Sequence, residues 1–553
     1  MMPADTQPRR LHITPIHAGL CVVLLVAALL RTTRLDLMAF EMDEGVACIY
    51  AVRYAHYGLF PLLGVKTSLG FYNTPLLPCL LAPTFLITSD ARFPALLLAL
   101  LGTAAVYIVY RTGREFFSPA VGLTAAAMMA VSPAAVDYSR RLWGHSFIQI
   151  LAAFAFYFLL RWIMAGRAKA VFWLALIVTM AQQMHFSGAL LWVPILLALA
   201  VFRPRTDWVG LLLGVLLGAL SYLPFVHEQF HTDFSDLRRI AELTFRGTEQ
   251  PAPFSLRPLA YWAFAATDLG RNNFLQDDYA GFLDRIHLYR VTRAAMSAAW
   301  MASLVAAAAW AAVELRGKRV GRALAERTAA RPLLFVAWAV VPLAVFLLLR
   351  VPVVAPYFLV VYPVPFLAVA WATAGFCRWV ESRAQPPAFR RAVQMAAVIA
   401  VGLWAAHQIL HHVVFRQELD LHGGGSGSYV SYGWQREAMR FIAHHAPGRT
   451  VVVSEEHRDP ARGIDFRYLF LLWTFDHNTE RFSPADQPGR RPANSLEFYN
   501  AKADYWYVIR NRKFRVRDDF EEFLKAFPFR QFGRLRVVVI PRPGPWPRFG
   551  PGT

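Results

Sequence analysis

A succession of apolar runs, each about 20 residues long, constrains this chain more than any other feature, because that length of helix crosses a bilayer. Eleven such runs can be read off the sequence: 15–34, 91–110, 118–137, 145–164, 168–184, 185–202, 207–227, 294–315, 331–350, 354–377 and 391–414. One further piece, 75–88, is short and interrupted by Pro75, Pro78 and Pro83, and reads as a re-entrant or surface-lying segment. With 56% hydrophobic and only 17% charged residues over 553 positions, the chain falls outside the range of ordinary soluble proteins. The fold class this implies is an α-helical integral membrane protein with about eleven transmembrane helices.

A net charge of +20 would point to nucleic acid in a soluble protein. Here most of it lies in short loops between apolar runs, so orientation in the membrane is the simpler cause and no nucleic-acid partner is implied. With the N-terminus in the cytoplasm and 75–88 not spanning, the loops around Arg111, Arg161, Arg203, Arg316 and Arg378 all face inward. An outward N-terminus with 75–88 spanning also keeps them inside, but makes Asp43 cytoplasmic. We adopt the first arrangement, a multi-pass protein of the inner (plasma) membrane. No small-residue cleavage pattern follows the first run, which reads as a retained helix. Four cysteines, with Cys21 and Cys377 in or beside spans, make no disulfide framework.

Three polar regions then share the extracytoplasmic face: the loop 36–90, the loop 228–293, and a tail from about residue 415. The chain divides into a multi-span domain, 1–414, and a soluble domain, 415–553. The tail opens with HGGGSGS at 422–428, a flexible linker by composition. A helical pattern at 433–445, strands at 449–454 and 504–510, a helix near 516–527 and a strand at 535–541 describe a small α/β domain. Docking an acceptor and simple capping of the membrane domain are equal readings of it.

The residues able to do chemistry concentrate in these outer regions. Asp43 and Glu44 are adjacent acids before a helical pattern that runs from Gly45 to Tyr57, with Gly58 placed to end it. A carboxylate here can accept a proton from an attacking hydroxyl or hold a divalent metal, and Glu41 adds a second acid two residues from Asp43. The plain alternative is that Asp43 caps the helix and Glu44 sits in its first turn. Cations on the same side are Arg53 and Lys66 in the loop, Arg140 and Arg141 in YSRRLWGH, and His185 in QQMHFS beside Gln182 and Gln183. Such groups can stabilise a phosphate that leaves as a bond breaks. Snorkelling is the ordinary role of any one of them taken alone. Asp277 and Asp278, in the loop 228–293, read as solvated acids.

Taken in order, MDEG, GLFPLLG, SLGFYNTPLL, AVSPAAVDYSRRLW and QQMHFSGALLWVP resemble the GT-C superfamily of integral-membrane glycosyltransferases. The chain is most similar to bacterial glycosyltransferase family 39-type proteins, relatives of protein O-mannosyltransferases and of the lipid A aminoarabinose transferase. The resemblance covers residues 15 to about 230, extends loosely through 354–377 and is absent from the tail. It implies a polyprenyl-phosphate-linked sugar as donor, a membrane setting and transfer on the extracytoplasmic face. It also implies that the acid matching Asp43 is catalytic, with Glu44 beside it, and that Lys66 is the nearest match to a lysine contacting the donor phosphate. Related enzymes differ in metal dependence. The reaction this describes is a single inverting displacement onto a protein, lipid or glycan acceptor, with either Asp43 or Glu44 as the base. The rival from another class is a transporter or flippase for a lipid-linked glycan, which would carry internal repeats and charged, broken spans.

Overall fold

The computed structural model describes residues 14–245 except 68, then 255–267, 279–317, 329–349 and 353–423 except 384. Of the tail it describes 430–445, 447, 449, 451–455, 466–475, 504–511, 522, 524–533 and 535–541. The chain is predominantly helical, and each of the eleven apolar runs forms helix. In chain order the first helices are α1 (Pro15–Thr32), α2 (Met42–Tyr57), α3 (Leu76–Phe85), α4 (Arg92–Phe116), α5 (Pro119–Val131) and α6 (Pro133–Tyr138). There follow α7 (Gly144–Ile163), α8 (Ala170–Met184), α9 (Trp192–Phe202), α10 (Trp208–Leu220), α11 (Leu223–His231) and α12 (Ser235–Phe245).

Among the described residues six helices are long and apolar enough to cross a membrane: α1, α4, α7, and those at Tyr289–Arg316, Ala330–Leu348 and Pro387–Leu421. Two bent pairs would raise this to eight if each is one span. These are α10 with α11, at 53°, and Ala355–Val361 with Val364–Glu381, at 52°. The runs at 118–137, 168–184 and 185–202 yield shorter helices: Pro133 divides the first, α8 ends at Met184, and the 3-10 turn Phe186–Leu191 takes up the start of the third. Leucines along α10, such as Leu212 and Leu216, are more than half exposed, as lipid-facing side chains are.

Buried polar groups tie the bundle together. Arg31, near the end of α1, is fully buried and donates to Ala130 O at 2.8 Å and Met129 O at 3.1 Å. These are last-turn carbonyls of α5, which lose their helical donors where the chain reaches Pro133. At one end of the bundle, Glu115 at the foot of α4 takes Arg161 at 3.4 Å and Arg111 at 3.7 Å. There Trp162 also donates to Arg205 O at 3.2 Å. Basic loops expected on one side are therefore neighbours in space.

The polar regions gather elsewhere, around the loop 36–90. Asp236 of α12 reaches Tyr72, and the tail reaches Met38, Phe40 and Asp90. The helix Pro387–His422 runs on past residue 414 and stops at Gly423, in the left-handed conformation at φ +76°. Beyond it lies a four-stranded sheet of β1 (Val451–Glu455), β2 (Tyr505–Asn511), β3 (Phe529–Phe532) and β4 (Leu535–Pro541), in the order β1-β2-β4-β3. Strands β1 and β2 are parallel, and the other two pairings are antiparallel. The sequence pattern anticipates three of these strands and the helix Tyr432–His445. It misses β3 and the short helix Phe466–Trp473. Most of the helix expected near 516–527, and most of the glycine-rich linker, lie outside the described residues.

The tail seats on the first loop. Tyr432 N–H donates to Met38 O at 2.9 Å, Gln435 donates to Phe40 O at 2.7 Å, and Tyr432 packs edge-on against Phe40. Phe470 lies against both Phe40 and Phe85, and Trp473 donates to the Tyr57 hydroxyl at 3.3 Å.

Candidate active site

Helix α2 presents the two adjacent acids in different directions. It begins at Met42, three residues earlier than the pattern implied, so Asp43 and Glu44 both lie in its first turn. The cap residue is Glu41, not Asp43. Glu44 completes the capping box by accepting the Glu41 backbone N–H at 3.0 Å. At its far end the helix stops at Gly58, whose φ of +66° costs little without a Cβ.

Glu44 is wholly buried and ion-paired with Arg141 Nε. The same guanidinium takes Glu41 at 2.9 Å. One buried cation thus serves two acids, a hydrogen-bonded arrangement that a buried carboxylate requires. Asp43, next to Glu44 in the chain, is placed differently. It is half-buried, and its Oδ2 accepts the Trp143 indole N–H at 2.9 Å. The Arg141 guanidinium lies over the Trp143 ring, 4.0 Å from its centroid.

From Trp143 a stack of rings leads toward the α8–α9 junction. The His145 ring lies 4.0 Å from Trp143 and 3.6 Å from His185, and Tyr357 packs against both histidines. Among the described residues neither ring nitrogen of His145 has a hydrogen-bond partner. The Ser187 backbone N–H donates to His185 Nδ1 at 3.2 Å, so Nδ1 is the unprotonated nitrogen and Nε2 carries the proton. His185 is therefore a neutral ring with a donor to offer.

Lys66 is exposed on a hairpin, 64–74, whose antiparallel bridge pairs it with Tyr72. Its ammonium lies 5.2 Å from the Tyr72 ring centroid. At the hairpin base Thr74 donates to Gln183 O at 3.2 Å, next to the His185 junction. The structure thus links Asp43, Arg141 and His185 through continuous contacts and brings the Lys66 hairpin against the same junction.

Other sequence candidates are placed elsewhere. Arg140 donates to the backbone carbonyls of Thr33 and Arg34, the former at 3.0 Å, and so braces the end of α1. Arg53 is on α2 ten residues beyond Asp43, about 15 Å along the axis at the usual helical rise. Gln183 spends its amide on Gly218 O, at 2.7 Å, joining α8 to α10. Asp277 and Asp278 lie outside the described residues. Arg141 already neutralises Glu41, Trp143 engages Asp43, and no group of three or more His, Cys, Asp or Glu that could hold a metal occurs among the described residues.

Trp143, His145 and Tyr357 were not singled out from the sequence. The available signal was the spacing of two between Arg141, Trp143 and His145, in a segment that is extended at Trp143 before α7 begins. Tyr357 gives no such signal, since it reaches the stack only through tertiary packing.

A family model described as dolichyl-phosphate-mannose-protein mannosyltransferase matches residues 72–227. No curated protein matches the chain. Among solved structures the chain is similar to apo ArnT from Cupriavidus metallidurans, with 12% identity, TM-score 0.55, and coverage of 94% of this chain and 97% of that one. The same protein bound to undecaprenyl phosphate matches at 13% identity and TM-score 0.51, with the same coverages. The oligosaccharyltransferase of Archaeoglobus fulgidus matches at 11% identity and TM-score 0.46, over 89% of this chain and 69% of that one. The overall path of the chain is that of ArnT.

Proposed function

We propose that the chain is a GT-C glycosyltransferase, polyprenyl-phosphate-dependent and working at the extracytoplasmic membrane face; the ArnT-like fold and the matched segment 72–227 support this reading. The observation that carries this reading is the division of labour between Asp43 and Glu44. Glu44 is buried on Arg141 and caps the helix, whereas Asp43 is half-buried and accepts the Trp143 indole N–H. An acid held in that way can take a proton from an incoming substrate, and a sealed one cannot.

In the proposed reaction the acceptor O–H, or N–H, gives its proton to the Asp43 carboxylate as its oxygen or nitrogen attacks the anomeric carbon. The new bond forms on the face opposite the phosphate, and the anomeric C–O bond breaks with its electron pair leaving on the polyprenyl phosphate. Configuration at that carbon inverts. Lys66 and the Nε2–H of His185 are the groups we assign to the departing phosphate, where fixed donors gain most from the charge that develops. Trp143 orients Asp43, Arg141 holds the helix start in place, and Arg140 braces the turn after α1. That the solved ArnT has been captured with undecaprenyl phosphate supports a carrier of this class.

The test uses the purified full-length protein with a radiolabelled polyprenyl-phosphate sugar and envelope extract as the acceptor source. Consumption of donor with release of polyprenyl phosphate, lost in Asp43→Asn, is the expected result. Movement of intact donor across a vesicle without consumption would instead identify a flippase.

A further inference from the structure

The hairpin that carries Lys66 is held from two sides, and the second hold comes from a distant part of the chain. Asp236, in α12, accepts the Tyr72 backbone N–H through Oδ1 at 3.0 Å. Its other oxygen takes the Gln229 side-chain amide at 2.9 Å, and Gln229 Oε1 in return accepts the Asp236 N–H at 3.1 Å. Arg239, one turn further on, donates to Leu69 O at 3.2 Å. Between these straps the hairpin turns at Gly70, whose φ of +94° suits glycine.

Asp236 is only 6% exposed and Gln229 is fully buried, although α12 otherwise presents charged and exposed side chains. A carboxylate in that position costs free energy unless its hydrogen bonds are made, so each of its bonds is fixed in direction. The bond to Tyr72 matters most, because Tyr72 is the residue paired with Lys66 across the hairpin and its ring lies beneath the Lys66 ammonium. Backbone bonds from Thr67 N–H to Phe71 O at 2.8 Å and from Asn73 N–H to Val65 O at 3.0 Å tie the two strands on either side of this pair, so the backbone of Lys66 is held with that of Tyr72.

We propose that Asp236 is a positioning residue for the phosphate end of the lipid-linked donor: through Tyr72 it sets where the Lys66 ammonium stands. The proposal rests on the assignment of Lys66 given above. It makes the α11–α12 segment, more than 150 residues beyond the hairpin, part of the carrier-binding site.

The experiment measures the Kd of the full-length protein in nanodiscs for undecaprenyl phosphate, the probe used in place of the unidentified donor. Lys66→Ala and Asp236→Ala should each weaken binding about tenfold, the value of one charge-assisted contact. The double variant should be no weaker than the poorer single variant, since both remove the same contact. Asp236→Asn keeps an oxygen toward Tyr72 but sets its amide N–H against that of Gln229, so its binding should lie between the parent and Asp236→Ala. Wild-type binding by Asp236→Ala, or losses that add in the double variant, would overturn the proposal. Wild-type binding by Lys66→Ala is a different result, which removes the Lys66 assignment and this inference with it. Should Asp236→Ala fail to fold, Arg239→Ala cuts the exposed strap to Leu69 and carries the same expectations.

Discussion

Asp43 and Glu44 are neighbours in sequence and separated in environment: the first accepts a hydrogen bond from Trp143, and the second is sealed against Arg141. Asp43→Asn keeps the shape and the indole contact but removes the base. Transfer should fall by about 10²–10⁴-fold, with the melting temperature unchanged. Activity within a few-fold of the parent would sink the assignment of Asp43.

Glu44 and Arg141 should behave oppositely, as stability residues. Arg141→Met strands a buried carboxylate and is expected to cost about 3–5 kcal/mol. Pairing it with Glu44→Gln should recover part of that loss, because the remaining side chain is neutral. Thermal unfolding of the four proteins gives the coupling. Simple additivity would mean that the pair is not a unit.

Asp90 should make tail docking sensitive to acid. Burial pushes its carboxyl up, but hydrogen bonds from the Arg92 side chain and backbone outweigh it and hold the group below the usual aspartate value. Tyr432 and Arg436 of the tail meet the same carboxylate, at 3.0 and 3.9 Å. A depressed folded-state value contributes stability that is present above the unfolded value, near 3.9, and is lost as pH falls through the folded one. Protection of the amides across 432–445 from exchange, relative to an unfolded chain at the same pH, should stay high at pH 7 and fall only well below pH 4. In Asp90→Asn it should be lower already at pH 7.

Cys48, five residues after Asp43, looks from the sequence like a reporter of sidedness for impermeant thiol reagents. It lies on the packed face of α2 and is fully buried, and burial pushes its thiol well up, so it should not label from either side. Met42 is 44% exposed at the start of the same helix. Met42→Cys in a cysteine-free background should label in intact cells. Labelling only after permeabilisation would reverse the orientation proposed here.

Much of the architecture was legible because it follows from local pattern. Apolar run length located the helices, Gly58 marked the end of α2, and alternation located three of the four strands. Counting spans was harder. Pro133 and the turn at Phe186–Leu191 shorten helices without much lowering the apolar content that the sequence displays. At the site, charge type was legible and its use was not. Arg140 and Arg141 are indistinguishable as a dipeptide, yet one braces two carbonyls and the other neutralises two acids. The Asp236–Tyr72 contact has no local signature, because it joins residues 164 positions apart.

The seating of Tyr432 and Gln435 on Met38 and Phe40 also bears on how the protein is made. The segment just before the proposed base is completed by residues nearly 400 positions later, which leave the ribosome long after α1 has entered the membrane. Until then Phe40 lacks its aromatic partners Tyr432 and Phe470, and the hold on α2 is unfinished. A prematurely ended chain would carry every residue assigned to the proposed reaction and lack the groups that seat on Met38 and Phe40. Completion of the chain is thereby also what completes the setting of the proposed base.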